Sequence, residues 1–323
     1  MKNNFDALRL LAALAVMVGH MCTLTGRVEP RLGSLALDRL GFLVFFSISG
    51  FLIATSWAAD PNTSRFLQRR FLRIWPGFAA VVLITFGVAF AAGTVGTADL
   101  GYLGKLVFQD SNLAAFPHNR LPELNGSLWT IPAEIECYLA LCLFGVLTRS
   151  LDRWIYAAAF TAWVATYALF FVAFDDVPFT YFGGFFMAGS VVSKFPRLLR
   201  LDGITSALVL AAVCYRFSPY ASAVLVIPLA TIYVGLKSWP VLRRAGRFGD
   251  LSYGVYLWAF PIQQLVIMVL GERAPYALQL GVSVAGAVLM ALASWHLIES
   301  PMLKLKPKRD ERTPALSLTE APR

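Results

Sequence analysis

The first apolar segment of the chain carries three polar side chains that could do chemistry: Asp6, Arg9 and His20. Arg9 and His20 stand eleven residues apart. That spacing is close to three helical turns, so both side chains project from one helix face, about 16 Å apart along the axis. Asp6 precedes Arg9 by one turn and can pair with it. An imidazole can take a proton from a hydroxyl nucleophile or carry a group briefly. An interior histidine held by hydrogen bonds is the alternative.

A cluster of arginines enters the third apolar segment, in SRFLQRRFLRIWPGF. Arg69 and Arg73 are four residues apart and Arg70 and Arg73 three apart, so their side chains share a surface. Guanidinium groups bind phosphate oxygens through two parallel hydrogen bonds, but such a cluster also suits an anchor at the membrane face. Both interpretations stay open, and the pattern does not separate a lipid phosphate from a nucleotide. Pro76 is expected in the first turn of the helix.

Two carboxylates, Glu134 and Glu136, lie early in the fourth apolar segment, within NGSLWTIPAEIECYL. Residues two apart on a helix point in nearly opposite directions, so only one of them can face a given site. We expect Glu134 to be functional, and a packing hydrogen bond between helices is the alternative. The four cysteines lack the spacing of metal ligands, so no metal site is predicted.

The elements that position these residues follow from composition. The set AVILMFWYC makes up 58% of the 323 residues and charged residues only 15%, whereas soluble domains carry about a quarter charged residues. This excludes an ordinary soluble enzyme, a disordered chain and a nucleic-acid module. The net charge of +9 resides in short segments between apolar runs, a placement that sets membrane orientation.

The pattern predicts an all-α integral membrane protein, a polytopic bundle of about ten transmembrane helices, since about 20 apolar residues span a bilayer. The candidate segments are roughly 6–24, 40–58, 74–93, 127–147, 153–174, 180–194, 203–217, 220–237, 250–270 and 276–298. We predict one transmembrane domain over residues 1–304. Residues 305–323 are polar and interrupted by proline, so we expect a disordered cytoplasmic tail there.

Basic residues alternate between the two sides of this predicted topology. One side holds Lys2, the arginines of 65–73, Arg149, Arg153 and the basic residues of 194–200, 237–247 and 304–312. The opposite side has only Arg27, Arg31, Arg39, Lys105, Arg120, Arg216 and Arg273. Because short cytoplasmic loops carry an excess of Lys and Arg, both termini should be cytoplasmic and the 94–126 loop should face outward.

Six motifs occur in the order seen in the membrane-bound acyltransferase 3 family, and the chain resembles that family from about 5 to 301. They are FDALRLLAALAVMVGH, GFLVFFSISGFLIA, RRFLRIWP, NGSLWTIPAEIECYL, LSYGVYLWAFPIQQ and WHLIESP. The resemblance implies an enzyme of the bacterial inner (cytoplasmic) membrane that moves an acyl group, usually acetyl, from cytoplasmic acyl-CoA. The implied acceptor is a hydroxyl of an extracytoplasmic or lipid-linked glycan. No nucleic-acid partner or metal is implied.

The resemblance also suggests roles for residues. The R-x10-H element of the family falls on Arg9 and His20, its R-x-x-R element on Arg70 and Arg73, and its Ser-Leu-Trp…Glu element on Ser127, Trp129 and Glu134. It implies that His20 is the catalytic histidine and that arginines hold the CoA phosphates. We hypothesise that Asp6 tunes Arg9 and that Glu134 orients the acceptor or the imidazole. The candidates are therefore His20, Glu134 and Asp6 for catalysis, Arg9, Arg69, Arg70 and Arg73 for acyl-CoA, and Ser127, Trp129 and Tyr138 for the acceptor.

Four further points concern single residues, the mechanism and the alternative function. Many members read YLWHFP where this chain has Ala259, so a histidine there cannot be needed. Glu299, in WHLIESP, is expected to be structural and to pair with a cytoplasmic arginine. Direct transfer and an acyl-histidine intermediate both fit. A secondary transporter of a sugar or anionic substrate is the alternative function, although the paired half-repeats typical of transporters are not evident.

Overall fold

The computed structural model of the chain describes residues 3–107, 112–148, 153–170, 178–271 and 273–308. Within these residues the α-helices are α1 Phe5–Leu24, α2 Leu37–Ala59, α3 Thr63–Ala91, α4 Thr130–Thr148, α5 Arg153–Phe170, α6 Pro178–Lys194, α7 Leu201–Tyr215, α8 Pro219–Leu236, α9 Leu251–Leu270, α10 Tyr276–Ser294 and α11 Ser300–Leu303. A π-helical turn, Trp295–Glu299, joins α10 to α11. The strands β1 Arg31–Leu32 and β2 Leu35–Ala36 form a small antiparallel hairpin between α1 and α2. The longer connections contain 3₁₀ helices at Thr97–Val107, Pro196–Leu199 and Leu242–Phe248.

The architecture is that of a helical membrane protein, but the predicted count of about ten spans is not confirmed. In the part of the chain that the structure describes, seven helical segments are long and apolar enough to cross a bilayer: Phe5–Leu24, Leu37–Ala59, Thr63–Ala91, Thr130–Leu147, Pro219–Leu236, Leu251–Leu270 and Tyr276–Leu303. Helices α6 and α7 have 17 and 15 residues, fewer than the about 20 needed. Helix α5 is apolar over Trp154–Ala165, which is shorter still.

Helix α3 begins eleven residues earlier than the hydropathy pattern predicts. The Asn62 side chain caps it by accepting a hydrogen bond from the backbone N–H of Arg65 at 2.9 Å. All the clustered arginines are therefore helical, and Pro76 lies in the helix interior rather than in its first turn. Hydropathy detects only the apolar part of a helix, so it missed the charged turns before residue 74.

Helix α2 lies at the centre of the bundle and packs against α1, α6 and α8. The closest approach is to α6, where a methyl group added at Gly50 would collide with the carbonyl of Phe186. On α6, the Ser190 hydroxyl donates to the Gly50 carbonyl at 3.1 Å. Small residues let the backbones of membrane helices approach closely, so Gly50 sets the short distance between α2 and α6.

Both ends of the described chain lie at the same end of the bundle. Asn4 donates to the carbonyls of Gly235 and Val234, at 2.8 and 3.1 Å, and accepts from the Trp239 N–H. Near the other terminus, Arg69 Nε donates to the Pro307 carbonyl at 3.3 Å. We call this the N-terminal end of the bundle. Residues 305–308 of the predicted tail lie against α3, and residues 309–323 are outside the described part.

Candidate active site

A cavity of about 300 Å³ lies near the N-terminal end of the bundle, between α1, α2, α3, α4, α9 and the segment after α11. We call it the arginine cavity. Its lining residues are Arg9, Phe42, Phe45, Phe46, Ser49, Leu52, Ile53, Arg70, Arg73, Ile74, Thr130, Ile131, Glu134, Tyr138, Ser252, Tyr253, Tyr256 and Lys306. It therefore collects three of the four arginines predicted to bind acyl-CoA.

Asp250, just before α9, is the carboxylate that holds two of these arginines. It pairs with Arg9 at 3.3 Å and contacts Arg73 more closely. Burial alone would raise the pKa of Asp250, but the charges of Arg73 and Arg9 and a hydrogen bond from Ser252 hold that pKa at about 2. The expected pairing of Arg9 with Asp6 is not found among the described ion pairs. Asp6 instead lies against Gly246, because its side chain faces the 3₁₀ helix before α9.

Arg69 faces away from the cavity. Asp60, which is almost fully buried between α2 and α3, pairs with Arg65 and with Arg69, each at 2.6 Å. The hydrogen bonds from Arg65 and Arg69 lower the pKa of Asp60 to about 2. The structure therefore places Arg69 in a structural ion pair, whereas the sequence pattern grouped it with the arginines for acyl-CoA. The reason is the early start of α3, which brings Asp60 within reach of Arg69.

The π-helical turn after α10 directs Glu299 into the bundle. Its carboxylate is 3.5 Å from Arg73 and accepts a hydrogen bond from Ser294 at 2.9 Å. The expected pairing of Glu299 with an arginine is thus present in the structure. Because Arg73 is shared by Asp250 and Glu299, its position is set by the protein and does not depend on a ligand.

Arg70 differs from its neighbours. Its Nε atom is buried, and no hydrogen-bond partner for it exists in the described part of the chain. The guanidinium lies 5.8 Å from the centre of the Phe66 ring and lines the cavity. A buried donor without a partner is costly, so Arg70 is poised to bind an anionic group that enters the cavity.

Glu134 and Tyr138 lie in the arginine cavity, on the face of α4 opposite to the exposed Glu136. One oxygen of Glu134 accepts hydrogen bonds from Ser49, at 3.1 Å, and from Tyr138. The hypothesis that Glu134 orients the imidazole is not supported by this geometry. Helix α4 begins at Thr130, so Glu134 and Tyr138 extend toward the N-terminal end and away from His20.

His20 lines a second cavity, of about 620 Å³, toward the opposite end of α1. We call it the histidine cavity. Its other lining residues are Thr23, Asp38, Arg39, Phe42, Lys105, Asn112, Leu121, Glu123, Asn125, Gly126, Trp129, Tyr181, Phe182 and Phe260. The mixture of carboxylates, amides and aromatic rings suits a polar ligand with many hydroxyl groups.

The imidazole is held by ring contacts. Its centroid lies 5.5 Å from that of Phe260, edge to face, and 6.3 Å from that of Phe42. Nδ1 of His20 is buried, and no partner for it is present among the described residues. Glu29 and Asp38 occupy the space where Gly19 has no side chain, and Glu29 accepts the Asp38 N–H at 2.8 Å. The Glu29 and Asp38 side chains therefore lie beside Gly19, the residue that precedes His20 on α1.

The two candidate acceptor residues before α4 have different positions. Trp129 lines the histidine cavity. Ser127 is 1% exposed and lines neither cavity, and its hydroxyl donates to Asn125 at 2.8 Å. Asn125 in turn donates to the Leu257 carbonyl at 3.1 Å. The predicted contact of Ser127 with the acceptor is therefore replaced by a structural role, which is to fix this turn against α9.

Phe42 lines both cavities. Its ring contacts Trp129, Phe182 and Tyr256, with centroids 5.5, 5.9 and 6.2 Å away. The same division runs along three helices, because α1, α2 and α9 each contribute residues to both cavities. The aromatic contacts of Phe42 thus form the boundary between a basic cavity and a cavity that contains a histidine.

Sequence reasoning missed Asp250, Ser49, Phe42 and Lys306. A lone carboxylate between the basic run 243–247 and an apolar segment was the available signal for Asp250. The other three have no local signal, because they enter the site through tertiary packing. Within the described residues, no group of three His, Cys, Asp or Glu side chains is arranged to hold a metal ion.

Comparisons with known proteins agree with this architecture. The acyltransferase 3 family, described as an acyltransferase domain, matches residues 2–298. An O-acetyl transferase of Shigella phage Sf6 is 26% identical, over 93% of this chain and 96% of that protein. Nodulation protein 10 of Rhizobium leguminosarum bv. viciae is 25% identical, over 94% of each chain.

A third relative is the peptidoglycan O-acetyltransferase OatA of Listeria monocytogenes, which is 23% identical over 93% of this chain and 56% of that protein. No solved structure is a significant match. The match over nearly the whole chain supports a membrane O-acyltransferase rather than the transporter alternative. The chain belongs to the acyltransferase 3 family.

Proposed function

We propose that the protein transfers an acyl group, acetyl in the first instance, from cytoplasmic acyl-CoA to a hydroxyl of an extracytoplasmic or lipid-linked glycan. The observation that carries this proposal is the position of Arg9 and His20, which lie on one helix but in two cavities separated by Phe42. A basic cavity suits an anionic donor. A histidine beside carboxylates and aromatic rings suits activation of a sugar hydroxyl.

The proposed sidedness follows from charge. The arginines of α3, the basic run 243–247 and the lysines after α11 all belong to the N-terminal end of the bundle. Because cytoplasmic segments are rich in Lys and Arg, we assign this end to the cytoplasm, in a bacterial inner membrane with both termini cytoplasmic. The donor then enters the arginine cavity from the cytoplasm, and the glycan reaches the histidine cavity from outside.

In direct transfer, His20 accepts the proton of the glycan hydroxyl while the oxygen attacks the thioester carbonyl carbon. The new C–O bond forms, the C–S bond breaks, and CoA leaves as the thiol after taking the proton back from the imidazolium. In the two-step route, an imidazole nitrogen attacks the thioester carbonyl carbon, the C–S bond breaks, and CoA leaves as the thiol with the proton that the ring loses. The hydroxyl oxygen then attacks the acyl carbon, the C–N bond to the histidine breaks, and the hydroxyl proton returns to the imidazole. The names of the phage and Listeria relatives, which specify O-acetyl transfer, support an acetyl donor.

The test compares His20→Ala with His296→Ala, since His296 is exposed on the π-helical turn and lines neither cavity. Membranes that contain each variant receive radiolabelled acetyl-CoA, and O-acetyl groups in the glycan fraction are counted. We expect label above background for the wild type and His296→Ala and none for His20→Ala, at equal membrane levels. Transfer at the wild-type rate by His20→Ala would remove the imidazole from the mechanism. Wild type that is rapidly denatured at neutral pH and retains label on His20 would select the two-step route.

A further inference from the structure

The segment after α11, residues 304–308, lies against the N-terminal part of α3. Arg69 donates to the carbonyl of Pro307 at 3.3 Å, with a longer contact to that of Lys308 at 3.5 Å. Arg69 is itself fixed by Asp60. This anchoring brings the half-buried Lys306 side chain into the arginine cavity. Lys304, two residues earlier, is exposed and does not line the cavity.

Three of the carboxylates near this cavity are already engaged with particular arginines. Asp60 pairs with Arg65 and Arg69. The other carboxylates of the described ion pairs here, Asp250 and Glu299, hold Arg9 and Arg73. Glu134 also lines the cavity, and its described hydrogen bonds come from Ser49 and Tyr138.

Two cations remain. Neither Arg70 nor Lys306 has an ion pair with a carboxylate within the described part of the chain. Both line the same cavity. Their charges act on one another, because the charge of Arg70 lowers the pKa of Lys306. Two like charges in a partly buried site are unfavourable unless an anion lies between them.

We propose that Lys306 and Arg70 form the subsite that binds a phosphate group of the acyl donor, with Lys306 delivered by the segment after α11. This inference rests on the proposed function and adds to it a residue that lies outside the arginine motifs of α3. Arg70 provides a planar fork of donors, and Lys306 provides a point charge on a flexible stem from the segment after α11. The segment after α11 is therefore part of the donor site in this proposal.

The protonation of Lys306 supports this assignment. Burial lowers the pKa of its ammonium group to about 8, and the charges of Arg70, Arg73 and Arg69 act in the same direction, with Asp250 opposing them. The cavity also presents Arg9, Glu134, Tyr138 and Tyr253 to this side chain. A phosphate bound between Lys306 and Arg70 would favour the charged lysine, so donor binding at pH 8 should take up protons. The phosphomonoester of the ligand already carries its full charge there, since its second pKa is about 6.

The experiment measures CoA binding to the full-length protein in nanodiscs of neutral lipid by titration calorimetry, for Lys306→Gln, Lys306→Arg and Lys304→Gln. We expect Lys306→Gln to raise the Kd for CoA about tenfold, since a charge-assisted hydrogen bond to phosphate is lost. Lys304→Gln should leave the Kd unchanged. Above pH 8 we expect the wild type to bind CoA more weakly as Lys306 loses its proton. Lys306→Arg should preserve affinity and remove this weakening, because arginine stays charged.

Two outcomes would overturn the inference. If CoA binds equally well to Lys306→Gln and to the wild type, Lys306 is not part of the donor site, and the proposed function is unaffected. If the wild type does not bind CoA but Lys306 mediates retention of an anionic phospholipid, the phosphate belongs to a lipid headgroup. In that case the proposed donor fails as well. Repeating the titration in nanodiscs with anionic lipid distinguishes the two sources, because a lipid at this subsite would compete with CoA.

Discussion

Arg9 and His20 share one helix but line different cavities, and the ring of Phe42 belongs to the wall of both. A donor held at Arg9 and an acceptor held near His20 would therefore meet at Phe42. Under the proposed function, this relationship would separate donor binding from acceptor binding by end of the bundle and would bring the reacting atoms together near its middle.

Phe42 should limit the length of the acyl group that reaches His20. Phe42→Ala removes a ring at the boundary between the cavities, so we expect a relative gain for longer acyl donors. The measurement is the ratio of kcat/KM for butyryl-CoA and acetyl-CoA, which should rise about tenfold, the effect of a methylene or two in an apolar pocket. Phe45→Ala is the control, because Phe45 lines only the arginine cavity. An unchanged ratio in Phe42→Ala would mean that the boundary lies elsewhere.

Arg69 and Arg70 are adjacent but should respond differently to substitution. Arg69→Gln removes a partner of Asp60 and two contacts to the C-terminal segment, so it should lower the melting temperature. Arg70→Gln removes a cation without an ion pair among the described residues, so it should raise the KM for acyl-CoA with little effect on melting. Steady-state kinetics and thermal unfolding of both variants check this. Equal lowering of the melting temperature in the two variants would contradict the distinction. Donor affinity can fall in both variants, because Arg69 also anchors the segment that carries Lys306.

Asp250 should be important for stability. Asp250→Asn leaves Arg9 and Arg73 without its charge in a site where both are about four-fifths buried. Breaking a buried ion pair on one side costs about 3 kcal/mol or more, which unfolding in mixed micelles can measure. Asp202→Asn is the matched control, because Asp202 is 79% exposed and its contact with Arg200 is 3.7 Å long. An exposed pair contributes about 0–1 kcal/mol. Similar losses in the two variants would refute the buried pairing.

Asp60 should make the free energy of unfolding depend on pH in the acid range. Its pKa is about 2 in the folded protein and about 3.9 in an unfolded chain. Because the folded pKa is lower, the contribution of Asp60 is complete above about pH 4 and declines as the pH falls toward 2. Unfolding in micelles at pH 6, 4 and 3 should show this decline in the wild type. Asp60→Asn should be less stable at pH 6 and should show a smaller decline. An identical pH profile would exclude Asp60 as a source of acid sensitivity.

Gly50 should be intolerant of a larger side chain. A methyl group there would overlap the Phe186 carbonyl on α6, and backbone atoms cannot yield as a flexible side chain can. Gly50→Ala should cost about 1–3 kcal/mol of unfolding free energy. Gly87→Ala, on α3, has open space around the added methyl and should be neutral or slightly stabilising. Comparable melting temperatures for the two variants would show that the α2–α6 contact is not close-packed.

Much of the fold follows from hydropathy, because a bilayer demands long apolar helices. The positions of α1, α2, α9 and α10 agree with the predicted segments to within a few residues. The start of α3 does not, since charged helical turns carry no hydropathy signal. Their stability comes from the cap at Asn62 and the pairs with Asp60. These contacts depend on how the α2–α3 connection folds.

The candidate site was predictable where two residues share one helix. The spacing of Arg9 and His20 is an intrahelical property, and the structure places both in cavities. Contacts between helices were not predictable in the same way. Asp250 replaced Asp6 as the partner of Arg9, and Ser127 packs against Asn125, because rotation and depth of neighbouring helices decide which side chains meet. No local sequence pattern specifies the rotation and depth of one helix relative to its neighbours.

The small hairpin between α1 and α2 has a practical consequence for topology mapping. Gly33 has a φ of +63° and open space around it, whereas Gly26 adjoins the Arg120 guanidinium and precedes the Glu29 carboxylate that fills the gap at Gly19. An epitope tag or a cysteine for labelling therefore belongs at the hairpin tip. There it reports which face of the bilayer is exposed to an impermeant reagent while leaving the surroundings of His20 in place.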